Sequence, residues 1–148
     1  MSESSRLNEL HSRIRKCTLC PLHKNRQQVV PGEGPEGAKL FFIGEAPGAR
    51  EDETGRPFVG RSGQLLAELI EDIGLKRSEV FITSVLKCRP PKNRTPHKSE
   101  IATCLPYLDM QMVIIEPRFV VLLGGVAISS VIGPQKVSEA HGRFYAAD

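Results

Sequence analysis

Apolar residues spaced three and four positions apart predict an amphipathic helix near the start of the chain and another in its middle. The first runs from about residue 4 to residue 16, where apolar side chains recur at helical spacing. The second ends at Gly74, since glycine readily adopts the left-handed conformation of a helix cap. Its predicted apolar face consists of Leu65, Leu66, Leu69, Ile70 and Ile73.

A third helix is expected to begin at Thr95-Pro96, because threonine is a good N-cap and proline is favoured in the first turn. Pro106 is expected to bend or restart this helix. Its apolar side consists of Ile101, Cys104, Leu105, Leu108 and Met112. A short fourth helix follows Gly124-Gly125 and ends at Gly133-Pro134.

Short apolar runs predict strands at residues 40–43, 80–86 and 119–123. The last run is continuously apolar, which is typical of a strand buried on both faces. Because strands and helices alternate, we expect an α/β fold with a parallel sheet, helices on both sides and right-handed crossovers. In such sheets ligands bind beyond the carboxyl ends of the strands.

The segment from residue 44 to residue 63 joins the first strand to the second helix and is rich in glycine and carboxylates. A loop this long inside a compact domain is usually functional, although a mobile surface loop is the alternative. Two other segments, residues 84–93 and Gly124-Gly125, follow the other strands. All three should meet at one sheet edge, which favours a functional loop.

Composition is that of an ordinary globular protein: 148 residues, 40% hydrophobic and 25% charged, which predicts one domain over residues 1–148. No apolar run is long enough for a membrane helix and the first residues lack a secretory pattern, so we expect a cytoplasmic protein. The net charge is only +3, but residues 1–30 and 87–98 are strongly basic. These segments fit a polyanion partner, with ordinary solvated surface charge as the alternative.

Four cysteines, Cys17, Cys20, Cys88 and Cys104, suggest a four-thiolate metal site. Neighbouring lysine and arginine residues are expected to favour the thiolate form. Zinc and an iron–sulfur cluster both satisfy this count, and the wide separation of the last two cysteines leans toward a cluster. The alternative is that Cys104 is only a core residue on an apolar helix face.

Taken together, these motifs resemble the family 4 uracil-DNA glycosylases, the iron–sulfur members of the uracil-DNA glycosylase superfamily. The similar segments are GEAPG at 44–48 followed by Glu51-Asp52, GRPFVG at 55–60, GQLL at 63–66, FITSVLKCRPP at 81–91 with Asn93-Arg94, and LLG at 122–124. The spacing of the four cysteines fits the family as well.

This resemblance implies a three-layer αβα sandwich with a short central parallel sheet. It implies a structural [4Fe–4S] cluster on Cys17, Cys20, Cys88 and Cys104. It also implies that a monomeric protein, with no membrane contact, removes uracil from DNA by flipping the base into a pocket.

The resemblance assigns roles to residues of the loop and the strand ends. Phe58 is expected to stack on the flipped base, and Ala46 and Ser84 to bind it. Glu45 and Glu51 are expected to polarise water or stabilise the cationic sugar, although either could instead cap a helix. Asn93 supports catalysis.

The chain departs from the family pattern in two ways. The family has asparagine where this chain has Ser84, at the position that reads the Watson–Crick edge of uracil, and one hydroxyl offers a less discriminating contact. The family's last strand and His-Pro loop are expected to be missing, because His141-Gly142 does not match that motif. A truncated, impaired glycosylase is therefore expected. The alternatives are a non-catalytic iron–sulfur DNA-binding protein and a glycosylase for another deaminated base.

Overall fold

Three parallel strands form the central sheet of the computed structural model, which describes residues 5–133. The strands are β1 (Leu40–Gly44), β2 (Phe81–Ser84) and β3 (Phe119–Leu122). The helices are α1 (Arg6–Arg15), α2 (Ala49–Thr54), α3 (Arg61–Asp72), α4 (Lys98–Ile115) and α5 (Gly125–Val131). Single 3₁₀ turns lie at Pro21–Lys24, Arg77–Glu79 and Pro91–Asn93. None of the helices in this range is long and apolar enough to cross a membrane.

The sheet has the order β2-β1-β3 and separates two apolar layers. Alternate side chains of a strand point to opposite faces, so Phe41 and Ile43 pack with α1, α4 and α5. Phe42 points to the other face and packs with Leu66 and Ile70 of α3. The predicted three-layer αβα arrangement with a parallel sheet is therefore confirmed.

Two local features differ from the sequence prediction. The segment between β1 and α3 contains the short helix α2 and is not a continuous loop. The N-cap of α4 is His97, whose backbone N–H donates to Glu100 Oε1 (2.8 Å), and not Thr95. The helix then continues through Pro106, since neighbouring packing outweighs one missing N–H.

Burial was overestimated for one helix face and one strand. Leu65, Leu69 and Ile73 are half exposed or more, and of the predicted apolar face of α3 only Leu66 and Ile70 are buried. Phe119 is 53% exposed, because β3 pairs with β1 on one side only within the described residues. An apolar run predicts that a strand is buried but not how many neighbours it has.

The ammonium group of Lys87 is the centre of a buried polar network. Its Nζ donates to Thr83 Oγ1 (2.7 Å), to the carbonyl of Ser84 (2.7 Å) and to Gln111 Oε1 (2.8 Å). Thr83 in turn donates to the carbonyl of Pro31 (2.8 Å). This network ties β2 to α4 and to the segment before β1.

His11 of α1 completes the network through Gln111. The Gln111 amide nitrogen donates to the Pro31 carbonyl (2.7 Å) and lies 3.0 Å from His11 Nε2. Because that nitrogen can only donate, His11 Nε2 must be the acceptor, which requires a neutral ring. Burial, together with the smaller effects of the charges of Lys87 and Arg15, lowers the pKa of His11 to about 4.

We expect His11 to destabilise the fold in mild acid. The unfolded ring takes up a proton below its ordinary pKa of 6.5, whereas the folded ring stays neutral down to about 4. The free energy of unfolding should therefore fall as the pH is lowered through this window. Thermal midpoints between pH 7 and pH 4 should fall less steeply for His11→Gln than for the unsubstituted protein.

The matched control is His97→Gln, because the His97 side chain is largely exposed. It should keep the pH dependence of the unsubstituted protein. The same slope for His11→Gln and the unsubstituted protein would contradict this account.

Candidate functional site

Phe58, Gly44 and Ser84 meet at the carboxyl ends of β1 and β2. Gly44 and Ser84 are register partners at the last positions of the two strands. A Cβ on Gly44 would collide with the ring of Phe58 and lie 3.4 Å from Ser84 Oγ. Glycine is therefore required at position 44, and the aromatic ring lies next to a strand-end hydroxyl.

The backbone of Phe58 adopts the left-handed conformation, with φ of 48°. For a bulky residue this costs on the order of 1–2 kcal/mol and has to be offset by its surroundings. Gly63 of α3 allows it, because a Cβ there would overlap the Phe58 carbonyl. Arg77 donates to the carbonyls of Pro57 and Phe58, the latter at 2.6 Å.

Glu51 binds the backbone of the same loop with both carboxylate oxygens. Oε1 accepts from the N–H of Gly48 (2.9 Å), and Oε2 accepts from those of Val59 and Gly60 (3.0 Å each). Burial raises the pKa of Glu51, but the backbone N–H groups lower it by more, so that the net pKa lies below its ordinary value. Glu51 therefore caps α2, the alternative role left open by the sequence, and holds the loop.

Glu45 and Ala46 follow β1 directly. The Glu45 residue is exposed, and its backbone carbonyl accepts from the N–H of Leu86 (3.1 Å), which fixes the main chain at this point. Ala46 packs against the apolar cluster that includes the cysteines. Ala46 thus joins the end of β1 to the cysteine region.

Asn93 lies on the 3₁₀ turn after β2 and is exposed. Its Oδ1 accepts from Arg89 Nε (2.8 Å), and its backbone is left-handed with φ of 57°. The contacts of Asn93 organise its own turn and do not join it to Phe58 or Ser84.

The four cysteines line a single cavity with an apolar wall. They come from the end of α1, the segment after β2 and the middle of α4. The wall includes Ile14, Leu22, Leu86 and Tyr107. Arg26 links two of the cysteines. Its Nη1 donates to Cys88 Sγ (3.2 Å) and to the carbonyl of Cys17 (2.7 Å).

Burial, and not the basic neighbours, decides the protonation of two of these thiols. Burial raises the pKa of Cys88 to about 11 despite the guanidinium of Arg26, and it also raises the pKa of Cys104. Arg26 and Lys87 do lower these pKa values, as expected of basic neighbours, but burial outweighs them. A metal or cluster would have to displace their protons on binding.

The four cysteines line one cavity but are not drawn together around a single point. Within residues 5–133, no three side chains among His, Cys, Asp and Glu are grouped closely enough to hold one metal ion. Four thiols on the wall of one cavity nevertheless form the donor set that zinc and iron–sulfur clusters use. The chemistry of the donors therefore fits the group expected from the sequence.

The basic segment at residues 87–98 is less available to phosphates than the sequence suggested. Lys87 is fully buried in the network described above. Arg94 pairs with Glu100 (2.7 Å), and this guanidinium helps to lower the pKa of that carboxyl to about 2. Lys92 and Lys98 remain exposed. Only some of the basic side chains of residues 87–98 are therefore exposed in the fold.

Sequence reasoning missed the residues that hold the site together. Asp52 is buried and accepts from the backbone N–H groups of Gln27 (2.9 Å) and Gln28 (3.3 Å). Arg77 and Glu33 lie outside the loop in sequence. Arg77 nevertheless donates to the Phe58 carbonyl of the loop, and Glu33 accepts from Arg77. No local motif marks these residues, since their partners are backbone groups brought close by the fold.

Comparison with known proteins matches this chain to one group of proteins. The family model described as the uracil DNA glycosylase superfamily matches residues 31–146. The type-4 uracil-DNA glycosylase of Pyrobaculum aerophilum is 48% identical over 144 residues, which are 94% of this chain and 74% of that protein. The type-4 enzyme of Thermotoga maritima is 52% identical over 126 residues, or 85% and 66% of the two chains. A type-5 uracil-DNA glycosylase of Thermus thermophilus is 32% identical, covering 78% and 67%.

We expect Glu51→Gln to destabilise the loop. In glutamine an NH2 group replaces one carboxylate oxygen, and this group can only donate. It would face one or two backbone N–H groups and leave them without an acceptor. The free energy of unfolding should fall by about 1–3 kcal/mol, measured by chemical denaturation. Glu53→Gln, at an exposed position of the same helix, should have little effect. Equal effects of the two substitutions would contradict the capping role.

Proposed function

Since the chain belongs to the uracil-DNA glycosylase superfamily, with type-4 enzymes among its relatives, we propose that it removes uracil from DNA by hydrolysing the N-glycosidic bond. The observation that carries this proposal is the Phe58 ring on Gly44, beside Ser84, at the carboxyl ends of two parallel strands. That edge is where open α/β sheets bind ligands.

Recognition of the base follows from these groups. A base inside a duplex is out of reach, so the enzyme has to extrude it into a pocket. The Phe58 ring supplies a face for stacking, and the Ser84 hydroxyl can donate to or accept from the base edge. We assign Ala46, which follows Glu45 at the end of β1, a part in binding the base.

Hydrolysis of the glycosidic bond develops positive charge on the sugar and negative charge on the departing base. An exposed carboxylate directly after β1, that of Glu45, is suited to stabilise the sugar and to orient water. Glu51 contributes to catalysis indirectly, by holding the loop that carries Phe58. We assign Asn93 a supporting role through its bond to Arg89, on an exposed turn that also carries Lys92.

We propose a [4Fe–4S] cluster held by Cys17, Cys20, Cys88 and Cys104. When bound, such a cluster supplies a covalent cross-link among the three segments that carry these thiols. Leu86 and Cys88 come directly after β2, so this cross-link also fixes the strand end that presents Ser84. The cavity common to all four sulfurs supports the assignment.

Ser84 favours one alternative, a glycosylase for another deaminated base. A hydroxyl discriminates less between base edges than an amide, which donates and accepts together. A panel of oligonucleotides containing uracil, hypoxanthine or xanthine would distinguish the two enzymes by which base is released. Binding of all of them with no release would indicate a non-catalytic DNA-binding protein.

We expect uracil release from single-stranded oligonucleotides, and we expect Phe58→Ala to weaken it. Stacking of a base on an aromatic ring contributes about 1–3 kcal/mol, which predicts a corresponding loss in kcat/KM. Glu45→Gln should lower kcat more strongly than it changes KM, because it removes charge stabilisation of the transition state. Single-turnover base release measures both effects.

Phe119→Ala is the matched control for Phe58→Ala. Phe119 is also a partly exposed aromatic residue at the sheet, but it lies on β3 and away from Gly44 and Ser84. It should leave uracil release unchanged. Equal losses for the two aromatic substitutions would contradict the assignment of Phe58.

We expect anaerobically purified protein to contain about four iron and four sulfide ions per chain. Cys17→Ala should lose iron and become less stable, since cluster binding is coupled to folding. Thr18→Ala, next to Cys17 and exposed, should retain both. Stoichiometric zinc without sulfide would contradict the cluster.

A further inference from the structure

We propose that Arg77 is a positioning residue that holds the Phe58 ring in place for stacking on the flipped base. The inference rests on the proposed function for its consequence, and on the contacts of Arg77 for its geometry. Arg77 lies on the 3₁₀ turn that links α3 to β2, nineteen residues after Phe58 in sequence.

The guanidinium of Arg77 donates to two successive carbonyls of the Phe58 loop. Nη1 donates to the Phe58 carbonyl at 2.6 Å, and Nη2 donates to the Pro57 carbonyl. A planar guanidinium presents its N–H groups in a rigid fork, so it holds two neighbouring acceptors in a defined orientation, whereas the rotatable donors of a lysine ammonium lack this fork. The side chain is 22% exposed, so water competes only weakly for these bonds.

Glu33 orients Arg77 from the other side. Its Oε2 accepts from Arg77 Nε at 3.4 Å, and its backbone pairs with Ile82 of β2 in an isolated antiparallel bridge. Arg56 binds the same carboxylate with two hydrogen bonds of 2.9 Å each. Glu33 thus anchors Arg77 to the central sheet.

Arg77 and Glu51 bind opposite kinds of backbone group at successive positions of the Phe58 loop. Arg77 binds the carbonyls of residues 57 and 58, whereas Glu51 binds the N–H groups of Val59 and Gly60. Between them the backbone of Phe58 is left-handed. Without Arg77, the carbonyls of residues 57 and 58 lose these donors, and the Phe58 ring can move away from Gly44.

The ring position matters because stacking requires a defined plane. Misplacement of a group by about 1 Å can cost about 100-fold in rate. We therefore expect Arg77→Met to lower single-turnover uracil release by about 10- to 100-fold. Arg77→Lys, which can reach one carbonyl, should restore part of this loss.

Arg56→Met is the matched control within the same ion-pair group. This substitution removes the two hydrogen bonds that Arg56 donates to Glu33. It leaves in place the donors of Arg77 to the carbonyls of Pro57 and Phe58. Uracil release by Arg56→Met should remain within about twofold of the unsubstituted protein. Equal losses for Arg56→Met and Arg77→Met would overturn the proposal, because they would indicate a general effect of the ion pairs.

A double-mutant cycle tests whether Arg77 acts through Phe58. The variant Phe58→Ala/Arg77→Met should be no slower than Phe58→Ala alone, since coupled residues are not additive. Fully additive losses would show that Arg77 acts by another route and would overturn the proposal.

Hydrogen exchange of the Val59 and Gly60 amides gives a measure that needs no activity. These amides should exchange faster in Arg77→Met and at an unchanged rate in Arg56→Met. Unchanged exchange in Arg77→Met would overturn the positioning role. If the unsubstituted protein released no uracil, the proposed function would fail, whereas the exchange rates would still decide whether Arg77 holds the loop.

Discussion

The buried ammonium group of Lys87 is the constraint on which the site depends. Burial lowers the pKa of Lys87 to about 7. All three partners of Nζ, however, are acceptors here, since the Thr83 hydroxyl donates to Pro31 and the Gln111 amide nitrogen faces Pro31 and His11. Only an ammonium has three hydrogens to donate, so the geometry favours the charged form. The same side chain therefore holds the end of β2, where Ser84 lies, and the backbone leading to Cys88.

The loop between β1 and α3 depends on polar contacts of its backbone in addition to the packing of Phe58 on the apolar layer next to α3. It is too rich in glycine and charge to form a core, so its conformation depends on side chains that bind its backbone: Glu51 for N–H groups and Arg77 for carbonyls. Charged donors and acceptors make the stronger hydrogen bonds, and they suit a segment that has to keep one bulky residue left-handed. The Phe58 ring is in this way held in place while it stays half-buried.

The cysteine region joins elements that are distant in sequence. Burial raises the pKa of two of its thiols, so the proposed cluster would have to displace their protons and its affinity would depend on pH. Arg26, which contacts Cys17 and Cys88, supplies a positive charge beside the sulfurs. Ala46, which follows β1, and Leu86, which follows β2, both pack with the cysteines, so the ends of these two strands are tied to the cysteine cavity.

Apart from the short helix α2, the sequence by itself determined the order of strands and helices along the chain, the parallel sheet and the edge where the loop lies, because apolar spacing and glycine positions depend on local chemistry. The GEAPG segment and the four cysteines also identified the family. Only the tertiary structure decided that Lys87 is buried, that β3 is exposed on one side and that Glu51 caps a helix. It alone brought Arg77 to Phe58. Such contacts join residues far apart in the chain, and their partners are often backbone atoms, which leave no pattern in the sequence.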